Sequence, residues 1–260
     1  MIKIFRYSLF LIFIYSCNNK VKSINYKIDK LLVNDSIIIY SKKKKRIKKI
    51  IRVNDSVYKQ YDFGSKEVLS SYGLINKDSL KIGTWFYYNS LGDSIKKEKY
   101  LIVGNNSILN ERILYNDNGD IIFHKSKYFH ISLRKDTVKI NEMIKGVVYL
   151  EANLFKNKNS NIQVLLSVDD IDDLSYDFSN ENLIKLDTFP NISGNQEMKK
   201  DFKNFNHNLL SIFGKRYNSC GNKIIRGIII EKYTQNLDSI DTKINKTYFE
   251  KEVFVDNNTN

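Results

Sequence analysis

Cysteine, proline and histidine are scarce in this chain: two, one and three among 260 residues. Two cysteines exclude the disulfide framework that staples many small exported domains. The histidines, His124, His130 and His207, are scattered, with no cysteine or carboxylate at metal-ligand spacing. Also missing are a glycine-rich phosphate loop, a Gly-x-Ser-x-Gly elbow and a dinucleotide fingerprint. The densest acidic run, Asp169-Asp170-Ile171-Asp172-Asp173, lacks the glycine and spaced acceptors of a calcium loop and reads as a solvated inter-strand turn. The expectation is a protein that is not an enzyme and holds no cofactor and no metal.

What is present argues for folded structure. Hydrophobic residues make up 42% and aromatic residues 13% of the chain, well above the composition of disordered segments. The formal net charge is +13, much of it following from a composition rich in Lys, Asn and Ile. A basic balance suits nucleic acid or an anionic membrane. The N-terminal export pattern described below argues against nucleic acid as the partner.

The chain is organised around Gly83 to Tyr100, GTWFYYNSLGDSIKKEKY: an aromatic strand, a tight turn and a second strand. Tyr88-Asn89-Ser90-Leu91-Gly92 recurs 27 residues later as Tyr115-Asn116-Asp117-Asn118-Gly119, and a shortened copy, Tyr61-Asp62-Phe63-Gly64, lies 27 residues before. A tyrosine follows each glycine at similar distance, at Tyr72, Tyr100 and Tyr128. Asn118-Gly119 is the dipeptide that best tolerates a type I′ turn, so each copy is expected to be a hairpin with Gly92 and Gly119 at positive φ. Thr84, Phe86 and Tyr88 fall on one side of the strand, Trp85 and Tyr87 on the other. One hairpin cannot bury that much aromatic surface, whereas stacked neighbours can. Aromatics at this spacing are core; as an alternative, Trp85, Tyr87, Tyr88 and Tyr115 form a binding surface for a sugar or peptide.

Gly83, Trp85, Tyr87, Tyr88 and Gly92 resemble the unit of the bacterial MORN-repeat-variant family, some of whose members are labelled antitoxin-like. The resemblance covers residues 36 to 130. It implies an array of β-hairpins and says little of function.

At the N-terminus, Lys3 and Arg6 precede the apolar run Leu9-Phe10-Leu11-Ile12-Phe13-Ile14, which ends at Ser16-Cys17. That is the layout of an export signal, too short to span a bilayer as a mature helix. Its ending resembles the lipobox of bacterial lipoproteins. The resemblance implies cleavage after residue 16 and acylation (palmitate) of Cys17, which anchors the protein in the cell envelope, at the outer membrane or a periplasm-facing membrane. The alternative is a cleaved signal with an incidental cysteine. Loss of Lys3 and Arg6 lowers the formal charge to +11. Cys220 then remains alone and is expected to be half-buried and structural. The basic run Lys42 to Lys49 reads as a hairpin turn and solvent-facing strand that guards a sheet edge; contact with anionic headgroups is the alternative.

Near Lys135-Asp136 the tyrosine-glycine period stops. Strands are expected at Thr137 to Ile140, Gly146 to Leu150, Ile162 to Val168, Lys223 to Tyr233 and Thr247 to Val255. Ile224 to Ile230 is apolar on both faces, as a central strand would be. Phe202, Phe205, Leu209 and Phe213 fall at helical spacing within Glu197 to Phe213. The fold expected is all-β, with four parts. They are a signal peptide over 1–16, a lipid-anchored tether over 17–36, hairpin repeats over 37–132 and an immunoglobulin-like β-sandwich over 136–256. The function expected is a membrane-anchored envelope lipoprotein acting as a non-enzymatic binding or scaffolding module for another envelope protein or glycan. An envelope hydrolase or accessory carbohydrate-binding factor, its site assembled from distant residues, is the alternative.

Overall fold

The computed structural model describes residues 29–33, 36–41, 43–155, 159–168, 173–234 and 242–257. The signal segment, Cys17 and most of the tether lie outside the described residues, as do residues 169–172 of the acidic run. The chain is all-β apart from a few short helical turns. Its N-terminal half is one antiparallel sheet of eight strands in sequence order: β1 (Asp29–Val33), β2 (Ser36–Tyr40), β3 (Arg46–Arg52), β4 (Val57–Phe63), β5 (Leu69–Asn76), β6 (Lys81–Tyr88), β7 (Ser94–Val103) and β8 (Asn106–Leu114). The hairpins add side by side as a single layer. Among the described residues, only the β7–β8 end of this sheet packs substantially on the rest of the protein.

Four turns at one end of the sheet, over 41–45, 64–68, 89–93 and 116–120, share one geometry. The first residue donates its N–H to the fifth residue's carbonyl, and the fourth donates to the carbonyl of the first. The fourth residue has positive φ in each: Lys44 at 57°, Glu67 at 60°, Gly92 at 95° and Gly119 at 84°. Gly92 and Gly119 thus have the expected sign, but the turn is not type I′, which needs positive φ at two successive positions. It is a type I turn closed by a bulge. Asn89 and Asn116 recur because each side-chain oxygen accepts two backbone N–H groups of its turn, from Leu91 and Asp93 and from Asn118 and Asp120. The turns start at 41, 64, 89 and 116, so successive repeats lengthen by two residues instead of keeping one period of 27. Two residues is one pleat, so every side chain keeps its face.

The C-terminal half has two sheets around one core. One holds five strands in the order β10 (Thr137–Lys139), β16 (Thr242–Asp256), β15 (Gly221–Thr234), β12 (Asn161–Leu166) and β13 (Asp187–Pro190). The other holds β14 (Leu210–Lys215), β11 (Ile144–Ala152) and β9 (Tyr128–Leu133). Alternate residues of β11 and β12 point inward, and Val148, Leu150, Ile162, Val164, Phe213, Ile225 and Phe249 belong to the shared core. β9 pairs with β11, so residues 128–133 join these sheets and the repeats end before 128 instead of at 132. The helix expected over Glu197 to Phe213 is also corrected: α1 covers only Gln196–Asp201, and Phe213 lies in a strand. Pairing with β11 over six residues outweighs the weak helical spacing.

β15 lies between β16 and β12, as its continuous apolar run requires. Ile225 and Ile229 face the shared core. Ile228 and Ile230 face the other way, into a second cluster with Leu174, Phe178 and Tyr248. Leu101, Val103 and Ile108 of the hairpin sheet pack against that cluster, so the two halves meet through an apolar contact. Asn110, fully buried, ties the contact: its amide nitrogen donates to the Tyr248 carbonyl at 2.8 Å and its oxygen accepts from the Tyr248 N–H at 2.7 Å. β10 covers β16 only near its C-terminal end, so Asn110 stands in for a neighbouring strand where that edge is open.

Candidate functional site

Trp85 and Tyr87 stand on one face of β6, Phe86 and Tyr88 on the other, so the residues singled out by sequence do not form one surface. Trp85 has no exposed area and donates from Nε1 to the Leu74 carbonyl at 2.9 Å. Its ring lies across Gly73 of the neighbouring strand, where a Cβ would approach the ring carbons to 2.5 Å. Lys81 caps the ring from above, its Nζ 4.3 Å from the Trp85 centroid and 5.2 Å from the centroids of Tyr87 and Tyr100. Tyr115 lies one residue past β8, where its backbone bridges to Ile121.

Beside Trp85 is the most perturbed group of ionisable side chains in the sheet. Glu98, opposite Trp85 on β7, is 2% exposed and accepts from Tyr100 Oη at 2.8 Å and Arg112 Nε at 2.9 Å, with Lys96 Nζ at 3.2 Å. Burial alone would raise its pKa. The hydrogen bonds from Tyr87, Tyr100 and Lys96 outweigh that and hold the carboxyl down to about 2. Tyr87 is pushed far above its ordinary value, first by burial and then by its bonds to Tyr100 and Glu98. Lys81, which donates to Tyr87 Oη at 2.8 Å, is lowered by burial against the pull of Glu98. A carboxylate held this low is a poor general base near neutrality, and its oxygens are engaged by neighbours. The cluster serves as a polar clasp over Trp85.

Glu98 is ionised in the folded chain at pH values where the unfolded chain has begun to protonate it. Its contribution to stability is present in full above the ordinary value of 4.5 and is lost as pH falls from there towards 2. Urea melts between pH 6 and 2 should therefore show a steep acid limb in the wild type and a shallower one in Glu98→Gln. Equal slopes would mean that Glu98 does not anchor the clasp.

The opposite face carries a single cross-strand row. Backbone register aligns Lys49 with Tyr61, Tyr61 with Tyr72, Tyr72 with Phe86, and Phe86 with Lys97, from β3 to β7. All five side chains are half-buried. The rings stack on one another at 5.9 Å for Tyr61–Tyr72 and 5.1 Å for Tyr72–Phe86, with Tyr88 on Tyr72 at 6.1 Å. Lys59 Nζ lies over Tyr61 and Tyr72 at 5.4 and 5.2 Å. Cross-strand aromatic pairs stabilise a layer that has no second sheet against it among the described residues. The row is hidden from a linear reading because its members are 11 to 14 residues apart and meet only through register.

The remaining polar positions do not converge. Cys220 is exposed, not half-buried, because it sits in the turn just before Gly221, whose φ is 107°. Asp173, the described member of the acidic run, pairs with the buried Lys215 at 3.3 Å. Among the described residues no group of three metal-ligating side chains gathers, and no helix is long and apolar enough to cross a membrane. A cavity of about 330 Å³ at the junction of the halves is lined by Arg112, His124, Lys125 and Lys127. Burial lowers Lys127 to about 8 against the pull of Glu231 and Glu111. In comparisons with known proteins, no family model and no curated protein matches the chain.

Proposed function

We propose that the chain is a lipid-anchored bacterial envelope protein that acts as a non-enzymatic binding or scaffolding module. The observation that carries this is the single-layer sheet: a wide face that no other part of the described chain covers, bearing a half-buried row of stacked aromatics bracketed by lysines. A broad, open array of side chains suits an extended partner, such as an envelope glycan or protein, better than a small substrate. Anchoring rests on the Ser16-Cys17 ending of the apolar N-terminal run. In this proposal the hairpin sheet is an array of the MORN-variant type, supported by the recurring Tyr-Asn-x-x-Gly turns. The C-terminal half is an immunoglobulin-like sandwich. Its support is the strand order: the first, third and sixth strands of that half (β9, β11 and β14) form one sheet, while β12, β15 and β16 form the other, as A, B, E and C, F, G do in that fold.

The test is expression with the native N-terminus in a bacterium, followed by fractionation and mass spectrometry. An acylated Cys17 at the mature N-terminus is expected, and Cys17→Ser should move the protein to the soluble fraction. A mature N-terminus elsewhere, or an unmodified Cys17, would overturn the anchoring.

A further inference from the structure

The row on the open face has a definite chemical character. Its ring faces are spent on one another, with Tyr72 stacked between Tyr61 and Phe86 at interplanar angles of 20° and 21°. A single-stranded nucleic acid, held by bases stacking on free aromatic faces, finds none in the middle of this row. A bilayer surface takes up apolar side chains that project freely, and the rings of this row are half-buried and packed on one another. The row presents ring edges, the hydroxyls of Tyr61, Tyr72 and Tyr88, and the ammonium groups of Lys49, Lys59 and Lys97.

The charges are spread in a line. Lys49 on β3 and Lys97 on β7 are four strand spacings apart, about 19 Å at ~4.8 Å per strand. Lys59 lies between them over the tyrosine rings, and no carboxylate stands in the row. Beyond Lys97, Glu111 is taken by Lys99 at 3.3 Å. At the turn end, Lys43, Lys44 and Lys45 are exposed, and Arg46 lies over Phe63 at 4.1 Å, extending the positive field. A small anion would meet one of these cations at a time, whereas a linear polyanion meets several and gains from their connection.

We propose that this face binds an acidic polysaccharide, a linear chain bearing carboxylate or sulfate groups, laid across the strands from Lys49 to Lys97. The proposal rests on the reading of this face as a binding surface and adds the class of ligand. The lysines supply charge, and the tyrosine hydroxyls donate to and accept from the sugar hydroxyls. Binding should weaken steeply with salt, since each neutralised anionic group releases a condensed counterion.

The experiment measures binding of the mature full-length protein to four probes at low and high salt: heparin or polygalacturonate, neutral dextran, vesicles containing phosphatidylglycerol, and single-stranded DNA. Affinity is expected for the acidic polysaccharides above the other three. Lys49→Gln, Lys59→Gln and Lys97→Gln together should reduce it at least tenfold. A control losing equal charge elsewhere, Lys139→Gln with Lys185→Gln and Lys203→Gln, should change it less than twofold, and melting curves check that both variants fold. Equal loss in the control overturns the site. Tighter binding of vesicles or DNA, lost with the same three lysines, overturns the ligand class. Dextran binding that survives the lysine changes overturns the acidic requirement and leaves the binding-module reading standing. No binding to any probe at low salt overturns both.

Discussion

Trp85→Ala is expected to destabilise the protein by about 3–5 kcal/mol, the range for emptying a fully buried aromatic site. The unusual element is that this burial occurs in a sheet with no second layer among the described residues. Trp85 lies flat on Gly73, bonds the Leu74 carbonyl, and is roofed by Lys81 and the Glu98 clasp. Removing the ring therefore opens both the floor and the roof. Gly73→Ala should act from below, forcing the ring up and costing about 1–3 kcal/mol by overpacking. The two changes remove the same contact, so the double variant should lose less than their sum. Denaturant midpoints of the four proteins give the comparison. A Trp85→Ala protein as stable as wild type would mean that the ring is a surface contact and not the core of the sheet.

Asn110→Leu is expected to cost about 2–6 kcal/mol and to loosen one half of the molecule from the other. The estimate follows from leaving the N–H and carbonyl of Tyr248 without their partner in a fully buried place, at about 1–3 kcal/mol for each group. Leucine keeps the volume and adds apolar surface, so the loss reports on the missing hydrogen bonds. In calorimetry the wild type should unfold in one transition, because Leu101, Val103 and Ile108 share a cluster with Ile228, Ile230 and Tyr248. The variant should broaden or split into two. A single transition at unchanged temperature would mean that Asn110 does not tie the halves together.

Much of the framework was legible in the sequence because it is written in short-range signals. Asparagine followed three residues later by glycine marked the turns, and alternation in Ile162, Val164 and Leu166 marked an inner face. What failed depended on long-range pairing. Whether residues 128–133 close the repeats or open the C-terminal sheets is decided by β11, which follows them. Phe202, Phe205, Leu209 and Phe213 do recur at helical spacing, yet a strand partner claims the last of them. The turn is not type I′ although Asn118-Gly119 suits one, because the same dipeptide is equally at home in a type I turn with a bulge. For the open face, a parity count separated Trp85 from Tyr88 correctly. No count within one strand finds Lys49 and Lys97 at the two ends of one row, since that needs the register of five strands. The clasp had one visible sign, the tyrosine that recurs after each turn glycine, of which Tyr100 bonds Glu98.

Among the described residues the N-terminal sheet is a single layer whose two faces differ: one closes over Trp85, and the other leaves a tyrosine row open to water. Hydroxyl-radical footprinting of the full-length protein, read by mass spectrometry, tests it most directly, because tryptophan is intrinsically among the most reactive side chains. Slow oxidation of Trp85 and Tyr87 is expected, with ready oxidation of Tyr61, Tyr72 and Tyr88 in the same sample. Rapid oxidation of Trp85 alongside protected Tyr61 and Tyr72 would contradict it, and would place the covered face on the other side of the sheet.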